Sequence, residues 1–148
     1  MVWAMARNGI KDYLSFAKQV LNEISDKSIS FEVFSDDLDD MYRQALILRD
    51  LGDNVWVKIP VTNTQSVYTY DLIHKLSNEG VKINATALFT KDHIDNVYNA
   101  LNKDVESIIS IFAGRIANAG IDPEITMKYA SDLTNDHSKV ETLWASAR

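Results

Sequence analysis

Cysteine is absent from this chain of 148 residues. Disulfides and thiolate zinc sites are therefore excluded, and a cytoplasmic setting fits. No apolar run approaches the roughly 20 residues of a membrane-spanning helix. The opening Met1-Val2-Trp3-Ala4-Met5-Ala6-Arg7 lacks the layout of a signal peptide, so none is expected. Basic residues are outnumbered, 15 Lys and Arg against 21 Asp and Glu, for a net charge of −6. That balance argues against nucleic acid or an anionic membrane as partner. It leaves room for a small anionic substrate, because a few local arginines override a weak global field. Glycine is scarce, five residues, and Gly114 and Gly120 form neither a dinucleotide motif nor a P-loop. His74, His93 and His137 stand far apart, without metal-ligand spacing.

What is present is ordinary for one soluble domain spanning 1–148, with 46% hydrophobic and 24% charged residues. Five β-like runs alternate with five helical patterns. A stripe of Ile10, Tyr13, Leu14, Ala17, Val20, Leu21 and Ile24 predicts a first helix over Ile10 to Ile24. A strand over Ile29 to Phe34 follows, then a helix from the acidic start Ser35-Asp36-Asp37 to a stop at Gly52. Asp36, Asp37, Asp39 and Asp40 read as that helix N-terminus rather than as a cation site. Next come a strand over 55–61, a helix over Thr64 to Glu79 ended by Gly80, and a strand over Ile83 to Phe89. A helix near 91–101 precedes a strand at Ser107 to Phe112 that continues into Ala113-Gly114-Arg115. Asp122-Pro123 opens a further helix, with cap and proline in preferred places. Thr142 to Ser146 makes the last strand. Alternation with short connections predicts an α/β fold with parallel strands. Five such units make either a small open sheet or part of a (β/α)8 barrel.

One residue stands out. In Val55-Trp56-Val57-Lys58-Ile59-Pro60-Val61, both faces of the strand are largely apolar, so it reads as buried on both sides. An ammonium there loses hydration, and burial without a partner lowers a lysine's pKa toward neutrality. The neutral amine is a nucleophile able to form a Schiff base with a carbonyl. The bland alternative is a lysine whose stem lies on apolar surface while its head reaches water.

The other strands favour the first reading. At period 2, each has one face carrying polar residues: Ser30 and Glu32, Lys58, Asn84 and Thr86, Ser110 with Phe112, and finally Trp144, Ser146 and Arg148. Converging Glu, Lys, Asn, Thr and Ser are costly unless they satisfy one another and a ligand. They suit a lysine iminium with a carboxylate to move protons. Asn and Thr would hold water or hydroxyls, and Arg115 would lie further out for an anion. Asn84-Ala85-Thr86 also fits a glycosylation pattern, which its place in a buried strand rejects.

Five segments together resemble the signature strands of transaldolases, in order and spacing, over essentially the whole chain. They are Ile29-Ser30-Phe31-Glu32-Val33, Val57-Lys58-Ile59-Pro60-Val61-Thr62, Asn84-Ala85-Thr86-Ala87-Leu88-Phe89, Phe112-Ala113-Gly114-Arg115-Ile116 and Trp144-Ala145-Ser146-Ala147-Arg148. The resemblance implies an incomplete TIM (β/α)8 barrel, about strands 3 to 7 with intervening helices. It implies transfer of a dihydroxyacetone unit between phosphorylated sugars in the pentose phosphate pathway, without metal or cofactor. Position by position, Lys58 would form the Schiff base, and Glu32 with Thr86 would handle the catalytic water. Asn84 and Ser110 would contact the sugar's reactive end, with Phe112 beside them, while Arg115, Ser146 and Arg148 would hold phosphate. Glu32 and Phe112 favour transaldolase over the related fructose-6-phosphate aldolases, which resemble this pattern with Gln and Tyr there.

Nothing here matches the acid/base aspartate of the family's first strand. Met1 to Asn8 resembles the exit from strand 2, although the family's Thr-Asn-Pro reads Val2-Trp3-Ala4. Strands 1 and 8 and most of strand 2 are without counterpart, leaving two open parallel edges. The chain is then a fragment, a degraded gene product, or a piece that closes its sheet with another copy, and a homo-oligomer is expected. Two alternatives follow: a fructose-6-phosphate aldolase-like enzyme, and a truncated non-catalytic relative that binds sugar phosphates or a partner chain.

Overall fold

A computed structural model of the chain describes residues 12–146. The elements are α1 (Tyr13–Glu23), β1 (Ile29–Glu32), α2 (Leu38–Arg49), β2 (Val55–Pro60), α3 (Tyr70–Asn78), β3 (Ile83–Leu88), α4 (Lys91–Ala100), β4 (Ser107–Ile111), α5 (Ala113–Asn118), α6 (Pro123–Thr134) and β5 (Val140–Trp144). The expected start of the first helix at Ile10, the strand exit at Met1 to Asn8, and Arg148 lie outside the described residues.

The five strands form one parallel sheet in the order β1-β2-β3-β4-β5. Sequential order with crossovers of one hand places the helices on a single face, the plan of an incomplete (β/α)8 barrel. Val57, Ile59, Ile83, Ala85, Ile109 and Ile111 are fully buried on that face, against Ala45, Ile73, Leu76, Ile94, Val97 and Ala130 from the helices. The opposite face carries the polar set.

Short polar side chains start most helices. Asp12 accepts from Leu14 N at 3.1 Å, Asp37 from Asp40 N at 2.8 Å, Thr90 from His93 N at 3.1 Å and Asp122 from Glu124 N at 2.9 Å. The acidic run is thus a helix start, and Asp36 beside it accepts from the Thr64 hydroxyl at 2.6 Å and from Thr64 N at 2.7 Å.

Four expectations need correction: the start of one helix, the continuation of one strand, and both the start and the faces of the last strand. The helix expected from Thr64 begins only at Tyr70, because Asn63 turns the chain. Its side-chain oxygen accepts from Gln65 N and Val67 N, Ser66 takes φ +63°, and Thr62 pairs antiparallel with Tyr68. Thr69 then spends its hydroxyl on Pro60 O, 2.7 Å away, instead of capping the helix. The strand expected to continue into Ala113-Gly114-Arg115 ends at Ile111, and a short helix, α5, replaces the continuation.

On β3, strict alternation after Thr86 would put Leu88 on the polar face. A register shift between Ala85 and Leu88, with Ala87 at φ +62°, instead seats Leu88 fully buried opposite Ile111. On β5 the strand starts two residues before Thr142, anchored by buried Val140 against Ser107. Ser110 then pairs with Leu143 and Ile111 with Trp144. Paired positions share a face, so Leu143 belongs with the polar set and Trp144 with the helix side, contrary to the expected Trp144-Ser146-Arg148 alignment.

Candidate active site

Lys58 sits in mid-sheet with Glu32 as its register partner on β1 and Asn84 on β3. Three chemically different side chains therefore stand in one row across three adjacent strands. Lys58 Nζ lies 4.0 Å from Glu32 Oε2, with the two side chains 32% and 26% exposed. The expectation of a strand buried on both sides is corrected here, while the expected carboxylate partner, Glu32, stands beside the lysine. Trp56, Lys58 and Pro60 are only half-buried, and the ammonium has both water and a carboxylate within reach. At that separation and exposure the pair adds little stability. It leaves a base and an amine close enough to exchange a proton through one water.

Asn84 is the organising amide, 4% exposed. Its Nδ2 donates to Ser30 Oγ at 2.8 Å, and its Oδ1 accepts from Ser110 Oγ at 2.7 Å. Ser30 and Asn84 stand on strands two positions apart, roughly 9–10 Å in a flat sheet. The bond closes because the sheet curls over this face. Ser30 was recognisable as part of the polar face, but its partnership with Asn84 was not.

Thr86 lies one step further along β3, opposite Pro60, and is 5% exposed. Its hydroxyl has no hydrogen-bond partner among the described residues, leaving it available to a water or ligand. Glu32, Lys58, Asn84, Thr86 and Ser110 are thus gathered on one face.

The second group lies past the ends of β4 and β5. Phe112 is half-buried and stacks on Phe89 with ring centroids 5.5 Å apart. Exposed Arg115, on the first turn of α5, places its guanidinium carbon 5.9 Å from the Phe112 ring. Ser146 is pressed onto α5 at Gly114, where a Cβ would stand 1.9 Å from the Ser146 carbonyl oxygen and 2.8 Å from its Oγ. Only glycine permits this approach, and Ser146 itself takes φ +60° to make it. The structure therefore brings Ser146 beside the helix that bears Arg115, while Arg148 lies outside the described residues.

Above the sheet an aromatic rim runs from Tyr70 through Tyr68 and His93 to Phe89. Burial lowers the His93 pKa, with Asp92 opposing, and its Nδ1 accepts from Phe89 N at 3.4 Å. Burial pushes the Tyr70 hydroxyl up to about 12, reinforced by Tyr68 and Asp92. The Thr64 hydroxyl and N–H hold the Asp36 carboxyl below its ordinary value. Among the described residues no helix is long and apolar enough to cross a membrane.

Comparison with known proteins gives a concordant result. The family described as transaldolase/fructose-6-phosphate aldolase matches residues 6–148. A probable transaldolase from Dehalococcoides mccartyi is 33% identical over 118 residues, covering 80% of this chain and 51% of the relative. Probable transaldolases from Sulfurihydrogenibium sp. and Thermoplasma volcanium are 32% and 33% identical, covering 93% and 95% of this chain. The chain spans 60% and 59% of the length of those two relatives.

Proposed function

The chain belongs to the transaldolase/fructose-6-phosphate aldolase family, and from that premise we propose that its polar face performs Schiff-base chemistry on a phosphorylated ketose, with Lys58 as the nucleophile. The observation that carries this is the row Glu32–Lys58–Asn84 across three adjacent strands. The Lys58 amine attacks the ketose carbonyl, and the carbinolamine loses water to give an iminium. Cleavage of the adjacent carbon–carbon bond releases an aldose and leaves the dihydroxyacetone unit on Lys58 as an enamine. Addition of a second aldose and hydrolysis complete the transfer and free the amine.

Glu32, 4.0 Å from the amine, takes and returns the protons through a water that the Thr86 hydroxyl helps to hold. Asn84 and Ser110 hold the hydroxyls at the reacting end. Arg115, Ser146 and Arg148 take the phosphate, for which a guanidinium fork is suited. Phe112 closes the wall between the two groups. The setting implied is the pentose phosphate pathway of the cytoplasm, with residues 1–148 forming one domain and a second copy covering its open strands.

Borohydride reduction in the presence of fructose 6-phosphate tests this. A sugar-derived mass is expected on Lys58 and is lost in Lys58→Ala. No adduct, or an adduct that survives the substitution, would sink the reading. Free dihydroxyacetone released without an acceptor aldose would instead identify aldolase chemistry, the family's other activity.

A further inference from the structure

In β1, Ile29 N donates to Asn54 O at 2.9 Å and, just past the strand, Val33 N donates to Lys58 O at 3.1 Å. Backbone groups alternate sides along a strand, so the N–H and C=O of Glu32 point away from β2, toward the outer edge of the sheet. They are not left to solvent. The Glu32 N–H donates to the Tyr13 hydroxyl oxygen at 3.0 Å, and that hydroxyl donates to Glu32 O at 3.4 Å. One phenol thus uses its acceptor and its donor on a single residue, as a neighbouring strand would.

The ring is fixed as well. Tyr13 packs edge-on against Phe34 at 4.3 Å and Phe31 at 6.0 Å between centroids, and the Asp12 cap sets the helix start that carries it. Burial raises the Tyr13 pKa to about 12, with the Glu32 N–H opposing and the Glu32 charge adding, so the hydroxyl keeps its proton throughout the neutral range.

We infer that Tyr13 is a positioning residue for Glu32: its hydroxyl locks the side of β1 that faces away from β2 and thereby fixes the backbone from which the proton-handling carboxylate reaches toward Lys58. This rests on the Schiff-base reading for its catalytic consequence, and on the hydrogen bonds alone for the hold itself. Small displacements of a catalytic group are costly, on the order of 100-fold in rate for 1 Å.

The test is Tyr13→Phe in the full chain, which keeps the ring and removes both bonds. Amide hydrogen exchange at Glu32 is expected to accelerate about tenfold or more, with Ile29 and Val33, which are bonded to the β2 side, unchanged. Borohydride trapping with fructose 6-phosphate is expected to slow about tenfold at saturating sugar, at an unchanged half-saturating concentration. Unchanged exchange at Glu32, or equal acceleration at Ile29, Glu32 and Val33, would overturn the inference. So would a trapping rate equal to that of the wild type when Glu32 exchange has risen. A wild type that forms no adduct defeats the Schiff-base reading and the catalytic consequence, while the exchange data still decide whether Tyr13 holds Glu32.

Discussion

The side-chain amide of Asn84 is committed to two serines, one on each side, and that commitment sets what the site can offer a ligand. With Oδ1 engaged by Ser110 and one Nδ2 hydrogen by Ser30, the amide cannot rotate without breaking both bonds. Ser30→Ala leaves a nearly buried N–H without that partner. It is expected to lower stability by about 1–3 kcal/mol, measured by urea unfolding. It should also raise the concentration of fructose 6-phosphate needed for trapping; an unchanged unfolding midpoint would show that the bond contributes nothing. Lys58 was legible because a cation in an apolar strand is a local anomaly. The Ser30–Asn84 bond was not, since it joins residues 54 apart in sequence and needs a curl that no strand pattern encodes. Tyr13 was hidden differently: it fits the apolar stripe of its helix, and nothing local distinguishes a packing tyrosine from one whose hydroxyl has a task.

At the level of elements, the connections after the strands were the least readable part of the fold. The stretch from Thr64 reads as helical, but Asn63 just before it is a turn-former whose side-chain oxygen competes for the backbone N–H groups of Gln65 and Val67. Helix α5 was missed because Ala113-Gly114-Arg115 follows an apolar run, and a helix of 6 residues is too short to show a period. Gly114 holds the reason for its placement. Gly114→Ala would drive a methyl against the Ser146 carbonyl, forcing α5 and the end of β5 apart. A loss of about 1–3 kcal/mol in thermal or urea unfolding is expected, together with weaker binding of inorganic phosphate in an NMR titration. A variant with the wild-type midpoint and phosphate response would disprove the contact.

At the scale of the molecule, the two faces of the sheet have different duties. The helix side is a dry core, and Ile59→Ala there should cost about 2–5 kcal/mol because Ile59 is fully buried. Leu143→Ala, at a residue 45% exposed on the other side, should cost less than about 1 kcal/mol. Urea unfolding of the pair checks this, and equal losses would contradict the two-sided plan. Strand order followed directly from the alternation of elements, since consecutive crossovers build neighbours. The face assignments followed from period 2 until the irregularity at Ala87 and the register of β5 broke the count. Which polar residues meet one another depended on curvature and had to be seen. The Ser30–Asn84–Ser110 chain has a consequence for experiments in solution: none of its members carries charge or titrates. Its geometry therefore ignores acidity and ionic strength, whereas the half-buried Lys58–Glu32 pair is still open to screening by salt. A salt dependence of adduct formation will consequently report on the charged groups alone, with the uncharged seat serving as the site's internal constant.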